Sequence, residues 1–246
     1  MTKFEHDMVL PNAASAVNKK QQVAEMFNAI SNKYDFFNHF LSIGIDVGWR
    51  KKAINQLKKL CPQNVLDVAT GTADVALMTY KILSPKKITG IDISEGMLNL
   101  GRKKIADAGL ENVIELQIGD SEKILFADNF FDAITVAFGV RNFENLEQGL
   151  KEMHRVLQPG GKAVILEFSK PKGFLKLLYN FYMKFLAPAM VQLFSKNKKA
   201  YQYLNNSVQA FPEGKTFLNL MNEAGFTQTY LKPLSLGICT IYCGSK

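Results

Sequence analysis

The chain has 246 residues, 47% of them hydrophobic and 21% charged, which suits one globular domain with additions or two small ones and supports a core without staples. Its three cysteines, Cys61, Cys239 and Cys243, are too few and scattered for a disulfide framework, and its three histidines have no metal-ligand spacing, so free thiols in a reducing cytoplasm are expected. The net charge of +8 suits an anionic partner, yet no nucleic-acid module accompanies the lysine clusters; solvated helix faces account for most of them, with acidic lipid headgroups the lesser alternative.

Residues 1–17 are polar, lack the pattern of a secretion signal and are expected to be mobile. Residues 18–60 read as a cap of two or three helices. Within it, "NKYDFFNHFLS" carries Tyr34, read first as a packing residue, and His39, for which no partner is evident. Residues 61–246 then alternate strand and helix patterns. The strands are "NVLDVA", "KITGIDI", "VIELQIG", "FFDAITVAF" and "KAVILEF". Helical spacing appears in "TGTADVALMTYKIL", "SEGMLNLGRKKIADAG" and "NLEQGLKEMHRVLQPGG", the last expected to stop at Pro159-Gly160-Gly161, with His154 a structural residue upon it. Such alternation implies right-handed crossovers and an α/β fold with a mostly parallel, doubly wound sheet. A helix in "PEGKTFLNLMNEAGF" and two strands, "TQTYLKPL" and "GICTIYCG", close the chain as a hairpin.

An insertion at about 171–210 interrupts this order. Its run "FLKLLYNFYMKFLAPAMVQLF" has the length of a membrane span, but Lys176, Asn180, Lys184 and Pro188 argue against one. A lid, an interfacial helix or packing against the core are the readings left.

Three signals mark a site at the carboxyl ends of the strands, where ligands bind in open α/β sheets. Asp67 and Gly71 lie in the turn after the first strand, where a glycine lets the backbone approach a ligand. The turn lacks the G-x-G-x-x-G pattern that seats a pyrophosphate, which disfavours a nicotinamide cofactor. Asp92 ends the second strand, placed to accept both hydroxyls of a ribose, and Asp120 ends the third, within reach of an adenine amino group. Singly, each acid also reads as a helix cap. A fourth signal is Arg141, one of only four arginines, at the exit of a core strand in "AFGVRNFEN". A rigid guanidinium there is either a site residue or an ion pair with a carboxylate of the N-terminal helices.

The order of these motifs, with "LQPGGKAVILEF" and the antiparallel closing pair, resembles class I S-adenosylmethionine-dependent methyltransferases. "NKYDFFNHFLSIGIDVGWRKKAI", "GTAD", "AFGVRNFEN", "RVLQPGGKAVILEFSKP" and "YQYLNNSVQAFP" resemble, more narrowly, the C-methyltransferases of menaquinone and ubiquinone biosynthesis, from about residue 18 onward. The resemblance implies a Rossmann-like sheet of seven strands with an antiparallel last strand, an N-terminal helical cap and a helical insertion. It implies S-adenosylmethionine as cofactor, with Thr72 at the turn, Asp92 on the ribose, and Asp120 with Ser121 near the adenine. The chain departs from the family pattern at Ala137, where many members have Ser, and at Ala73, where Gly is common. The implied substrate is a polyprenyl quinol methylated on a ring carbon: demethylmenaquinol, or a ubiquinone-precursor benzoquinol. For such a reaction Arg141 is expected to stabilise a phenolate, with Asn142 beside it as a neutral donor or acceptor. The prenyl tail implies transient docking at the inner face of the cell membrane, and a homo-oligomer stays open. A silent quinone-binding scaffold of the same fold is the rival of another class, separable by cofactor binding and turnover.

Overall fold

The computed structural model describes residues 5–41, 44–171 and 198–246, with side chains left out at 32–41, 198–199 and 201. The cap comprises α1 (Lys19–Leu41) and α2 (Ile45–Ile54), and α2 runs on into a 3-10 helix at Asn55–Leu60. The core then alternates β1 (Asn64–Val68), α3 (Asp74–Leu83), β2 (Lys87–Asp92), α4 (Glu95–Asp107), β3 (Ile114–Ile118), β4 (Phe131–Ala137), α5 (Leu146–Val156) and β5 (Leu157–Phe168). Helices α6 (Lys198–Ala210) and α7 (Lys215–Glu223) precede β6 (Thr227–Leu234) and β7 (Cys239–Ser245).

The sheet has seven strands in the order β3-β2-β1-β4-β5-β7-β6. All are parallel except β7, which runs antiparallel between β5 and β6. The order reverses between β1 and β4, and that is where a doubly wound sheet opens a crevice at its carboxyl edge.

Strand periodicity of two sorts the central side chains onto two faces. Leu66, Val68, Ile134, Val136 and Ile165 face α5 and α7 through Leu150, Met153, Phe217 and Met221. Val65, Ala133, Val164 and Leu166 face α2, α3 and α4 through Trp49, Ala53, Ala76 and Leu98. Buried side chains of this size contribute about 1.5–3 kcal/mol each, so the two layers carry most of the driving force. Cys239 and Cys243 share the second face, both buried, while Cys61 is exposed. A third, smaller cluster joins Val23 and Met26 of α1 to Ala200 and Tyr203 of α6, so cap and insertion pack on one another.

One expectation is corrected here. Helix α5 ends at Val156, short of Pro159, because Leu157 adopts an extended conformation and pairs with Phe131. Pro159-Gly160-Gly161 then form a register shift within β5, whose next pairing is Lys162 with Ala133. The N-terminal stretch contains a 3-10 turn, Glu5–Met8, whose His6 is buried in the protein. Among the described residues no helix is long and apolar enough to cross a membrane, and the apolar run at 174–194 lies outside them.

Candidate active site

A cleft of about 660 Å³ opens at the carboxyl ends of β1–β4 and is roofed by Lys20, Val23 and Phe27 of α1. Gly71, Asp92, Asp120, Ser121, Ala137 and Asn142, all expected from the sequence, line it. Asp67, Thr72 and Arg141 lie outside its lining, each for a different reason.

Asp67 works beneath the cleft. It is 1% exposed, and its carboxylate accepts hydroxyl bonds from Thr70 and Thr135, each at 2.6 Å. Those bonds tie the β1 turn to its own strand and to β4. Burial pushes the Asp67 carboxyl up to about 6, against the pull of the two hydroxyls. The turn itself is tight: Ala69, Gly71 and Ala73 all have positive φ, at 53°, 58° and 65°. Only Gly71 adopts this without a Cβ penalty, so the alanines store backbone strain of about 1–2 kcal/mol each beside the site. Gly139 lets the β4 loop meet this turn, because a Cβ there would sit 2.6 Å from that of Ala69.

Asp92 reaches into the cleft from the end of β2. Its two oxygens accept the Gly71 and Ser94 backbone N–H groups, both at 2.9 Å. Two bonds use half of a carboxylate's roughly four acceptor sites, which leaves capacity for a pair of hydroxyl donors. Protein packed behind it raises the Asp92 carboxyl above its ordinary range, while those backbone bonds oppose the rise. Thr72 is turned away from the cleft, with its hydroxyl 3.0 Å from the Lys104 ammonium of α4.

Beyond β3, Asp120 and Glu122 converge on Lys20 of α1, at 2.6 and 3.1 Å. Burial pulls the Lys20 ammonium down, but the two carboxylates outweigh it and hold its pKa above the ordinary lysine value. The other oxygen of Glu122 accepts the Glu144 and Asn145 N–H groups at 2.8 and 2.9 Å. Asn28 pins α1 to the start of α4 by accepting from the Ser94 hydroxyl at 2.7 Å and the Gly96 N–H at 2.8 Å. Lys20, Asn28 and Glu122 were missed in the sequence. Glu122 sits two residues from Asp120 and was within reach of inference; the other two lie on a polar helix that offers no signal.

Arg141 follows β4 in a 3-10 turn, Val140–Asn142, and is 4% exposed. Its guanidinium donates to Glu167 of β5 at 2.6 Å and to the Phe138 carbonyl at 2.7 Å, with the Phe168 ring 5.3 Å away. The carboxylate partner thus comes from β5, where the sequence suggested the N-terminal helices. An acid inside the apolar "VILEF" run was the signal, since a buried charge needs a partner. The next residue, Asn142, faces the cleft, and its side-chain oxygen accepts from the Tyr203 hydroxyl at 3.3 Å. Tyr34 and His39 fall where side chains are not described. His154 packs edge-on against Phe226, away from the cleft.

The donor set suits a phosphate-free cation. Four carboxylates line the cleft, from Asp92, Asp120, Glu122 and Glu144, against the single ammonium of Lys20. Such a surface repels phosphate and attracts positive charge. Among the described residues no group of acids, histidines and cysteines could hold a metal ion.

Comparison with known proteins gives concordant results. The model of the ubiE/COQ5 methyltransferase family matches residues 15–246. A demethylmenaquinone methyltransferase of Bacteroides fragilis is 48% identical over 93% of this chain and 94% of its own length. A ubiquinone/menaquinone biosynthesis C-methyltransferase of Geotalea daltonii is 47% identical, over 93% and 97% respectively. Among solved structures, a SAM-dependent methyltransferase of Thermotoga maritima superposes with a TM-score of 0.63 at 18% identity, covering 91% of this chain and 99% of that one. A putative methyltransferase of Methanococcus maripaludis gives a TM-score of 0.63 at 20% identity, covering 96% and 97%. These two show the fold alone.

Proposed function

The chain belongs to the ubiE/COQ5 methyltransferase family, and from that premise we infer that it transfers a methyl group from S-adenosylmethionine to a ring carbon of demethylmenaquinol, giving menaquinol. The observation that carries this reading is the acid-lined cleft at the β1–β4 switch point, in a chain that matches named demethylmenaquinone methyltransferases over 93% of its length.

When bound, the cofactor supplies an already activated methyl group, so the protein's task is to hold, orient and exclude water. Asp92 would accept the ribose hydroxyls with the acceptor sites its backbone bonds leave open. Asp120 and Ser121 would hold the adenine, and Gly71 would let bare backbone approach the amino-acid part. The acid-rich lining favours a sulfonium over an uncharged thioether, which helps the charged donor in and the spent product out.

The reaction exchanges one ring hydrogen for a methyl group and releases one proton. A quinol oxygen that loses its proton enriches the neighbouring carbon, and a fixed dipole near that oxygen stabilises the charge. Asn142 is the group placed to offer one, because Tyr203 orients its amide. Arg141 acts from behind the wall, its charge matched by Glu167, and holds the loop that presents Asn142. The prenyl tail stays in the bilayer, so the chain meets its substrate at a membrane surface, which its net charge of +8 favours when the lipids are acidic. The Geotalea relative carries a ubiquinone/menaquinone name, which keeps the same chemistry on a 2-methoxy-6-polyprenyl-benzoquinol as the second reading.

The test is incubation of the purified protein with methyl-labelled S-adenosylmethionine and a chemically reduced demethylnaphthoquinone bearing a short prenyl tail. Label in the ring methyl supports the reading. A parallel benzoquinol sample that alone takes label transfers the assignment to the second substrate. Cofactor binding without transfer to either points to the silent scaffold.

A further inference from the structure

The family match begins at residue 15, and the polar stretch ahead of it contains a buried imidazole. We propose that His6 is a positioning residue for the Arg141–Asn142 loop, which makes the N-terminal segment part of the active-site wall. The proposal rests on the reading above, in which Asn142 faces the reacting ring.

His6 is 0% exposed, and its Nε2 lies 2.6 Å from the backbone carbonyl oxygen of Arg141. A carbonyl only accepts, so Nε2 carries the proton and donates. The 3-10 turn satisfies the carbonyls of Gly139 and Val140, through the N–H groups of Asn142 and Phe143. The His6 ring supplies the donor for the Arg141 carbonyl, a buried acceptor that is costly to leave bare. The ring is itself held. Its plane meets Phe211 nearly at right angles, and the Lys19 ammonium donates to its backbone carbonyl at 2.9 Å. The loop is therefore clamped twice: Glu167 takes the Arg141 side chain, and His6 takes the Arg141 main chain. Removing either lets Asn142 shift, and small misplacements at a reacting centre are costly in rate.

Two variants separate positioning from bulk. His6→Leu fills the space without a donor, while His6→Gln keeps an amide N–H able to reach the same carbonyl. Expected for His6→Leu is a fall in kcat of about tenfold, with quinol KM and cofactor affinity within about twofold of the parent. His6→Gln recovers most of the loss. In the cofactor-free protein, amide hydrogen exchange in the 138–145 peptide quickens in His6→Leu and stays near the parent rate in His6→Gln. Unchanged exchange in His6→Leu overturns the proposal whatever the turnover. So does an equal loss of kcat and cofactor affinity in both variants, which is the behaviour of a purely structural residue. If the parent protein methylates neither quinol, the functional reading falls, and the exchange data still decide whether His6 holds the loop.

Discussion

The floor and the roof of the cleft are built by opposite means. Beneath it, β1 and β4 lie side by side, and the polar group at their centre, Asp67, is sealed and satisfied by two hydroxyls. Above it, α1 adds to its apolar cluster with α6 a set of polar contacts: Lys20 to Asp120 and Glu122, Lys19 N–H to Glu144, and Asn28 to the start of α4. A floor set by apolar burial is little affected by salt. The ion pairs of the roof are partly exposed, so they are weak and screened by salt.

The sharpest way to break this contrast is to damage the floor side where charge is buried. Glu167→Gln leaves the 4%-exposed Arg141 guanidinium without its counter-ion. Losing one partner of a buried pair costs about 3–5 kcal/mol, so a large drop in thermal midpoint is expected from calorimetry. Asp92→Ala comes next. It removes the acceptor for Gly71 and Ser94 and the proposed ribose contact, and titration calorimetry should show cofactor affinity reduced on the order of 100-fold.

Asp67 gives the floor a pH signature. Its folded carboxyl titrates at about 6, above the reference value of 3.8. Between those values the folded chain holds a proton that the unfolded chain has released. The contribution of Asp67 to stability is thus full below about pH 4 and is lost as pH rises to about 6. Its size is on the order of 1–3 kcal/mol. Urea denaturation across this window should show the slope in the parent protein and a flatter profile in Asp67→Asn. The smallest effect belongs to the roof. Lys20→Met should cost about 1 kcal/mol or less, seen as faster hydrogen exchange in α1, and the difference from the parent should shrink at high salt. A Lys20 effect as large as that of Glu167, or one indifferent to salt, would erase the distinction.

The floor was also the legible half. Period-2 apolar runs, glycine turns and acids at strand ends are local patterns, and each of the seven strands lay where its run predicted, within a residue or two at most ends. The start of β5 was the exception, because only the pairing of Leu157 with Phe131 ends α5 early. The places of Asp92 and Asp120 on the cleft wall were legible because a strand's end is readable and the ligand edge follows from topology. Arg141 was noticed for its type and position, but its direction was not, since a side chain's aim depends on which acid the fold brings near.

By itself the sequence determined the alternation of strand and helix, the edge on which the site lies and, by resemblance, the chemistry. These rest on short-range patterning and on residue types that few other roles explain. The tertiary structure alone decided who pairs with whom: Glu167 with Arg141 across 26 residues, Lys20 with Asp120 across 100, and His6 with the Arg141 carbonyl across 135. Such contacts leave no periodicity in the chain. They arise when apolar burial has already placed the elements, and each buried charge or bare carbonyl is then met by whichever partner has been brought within reach.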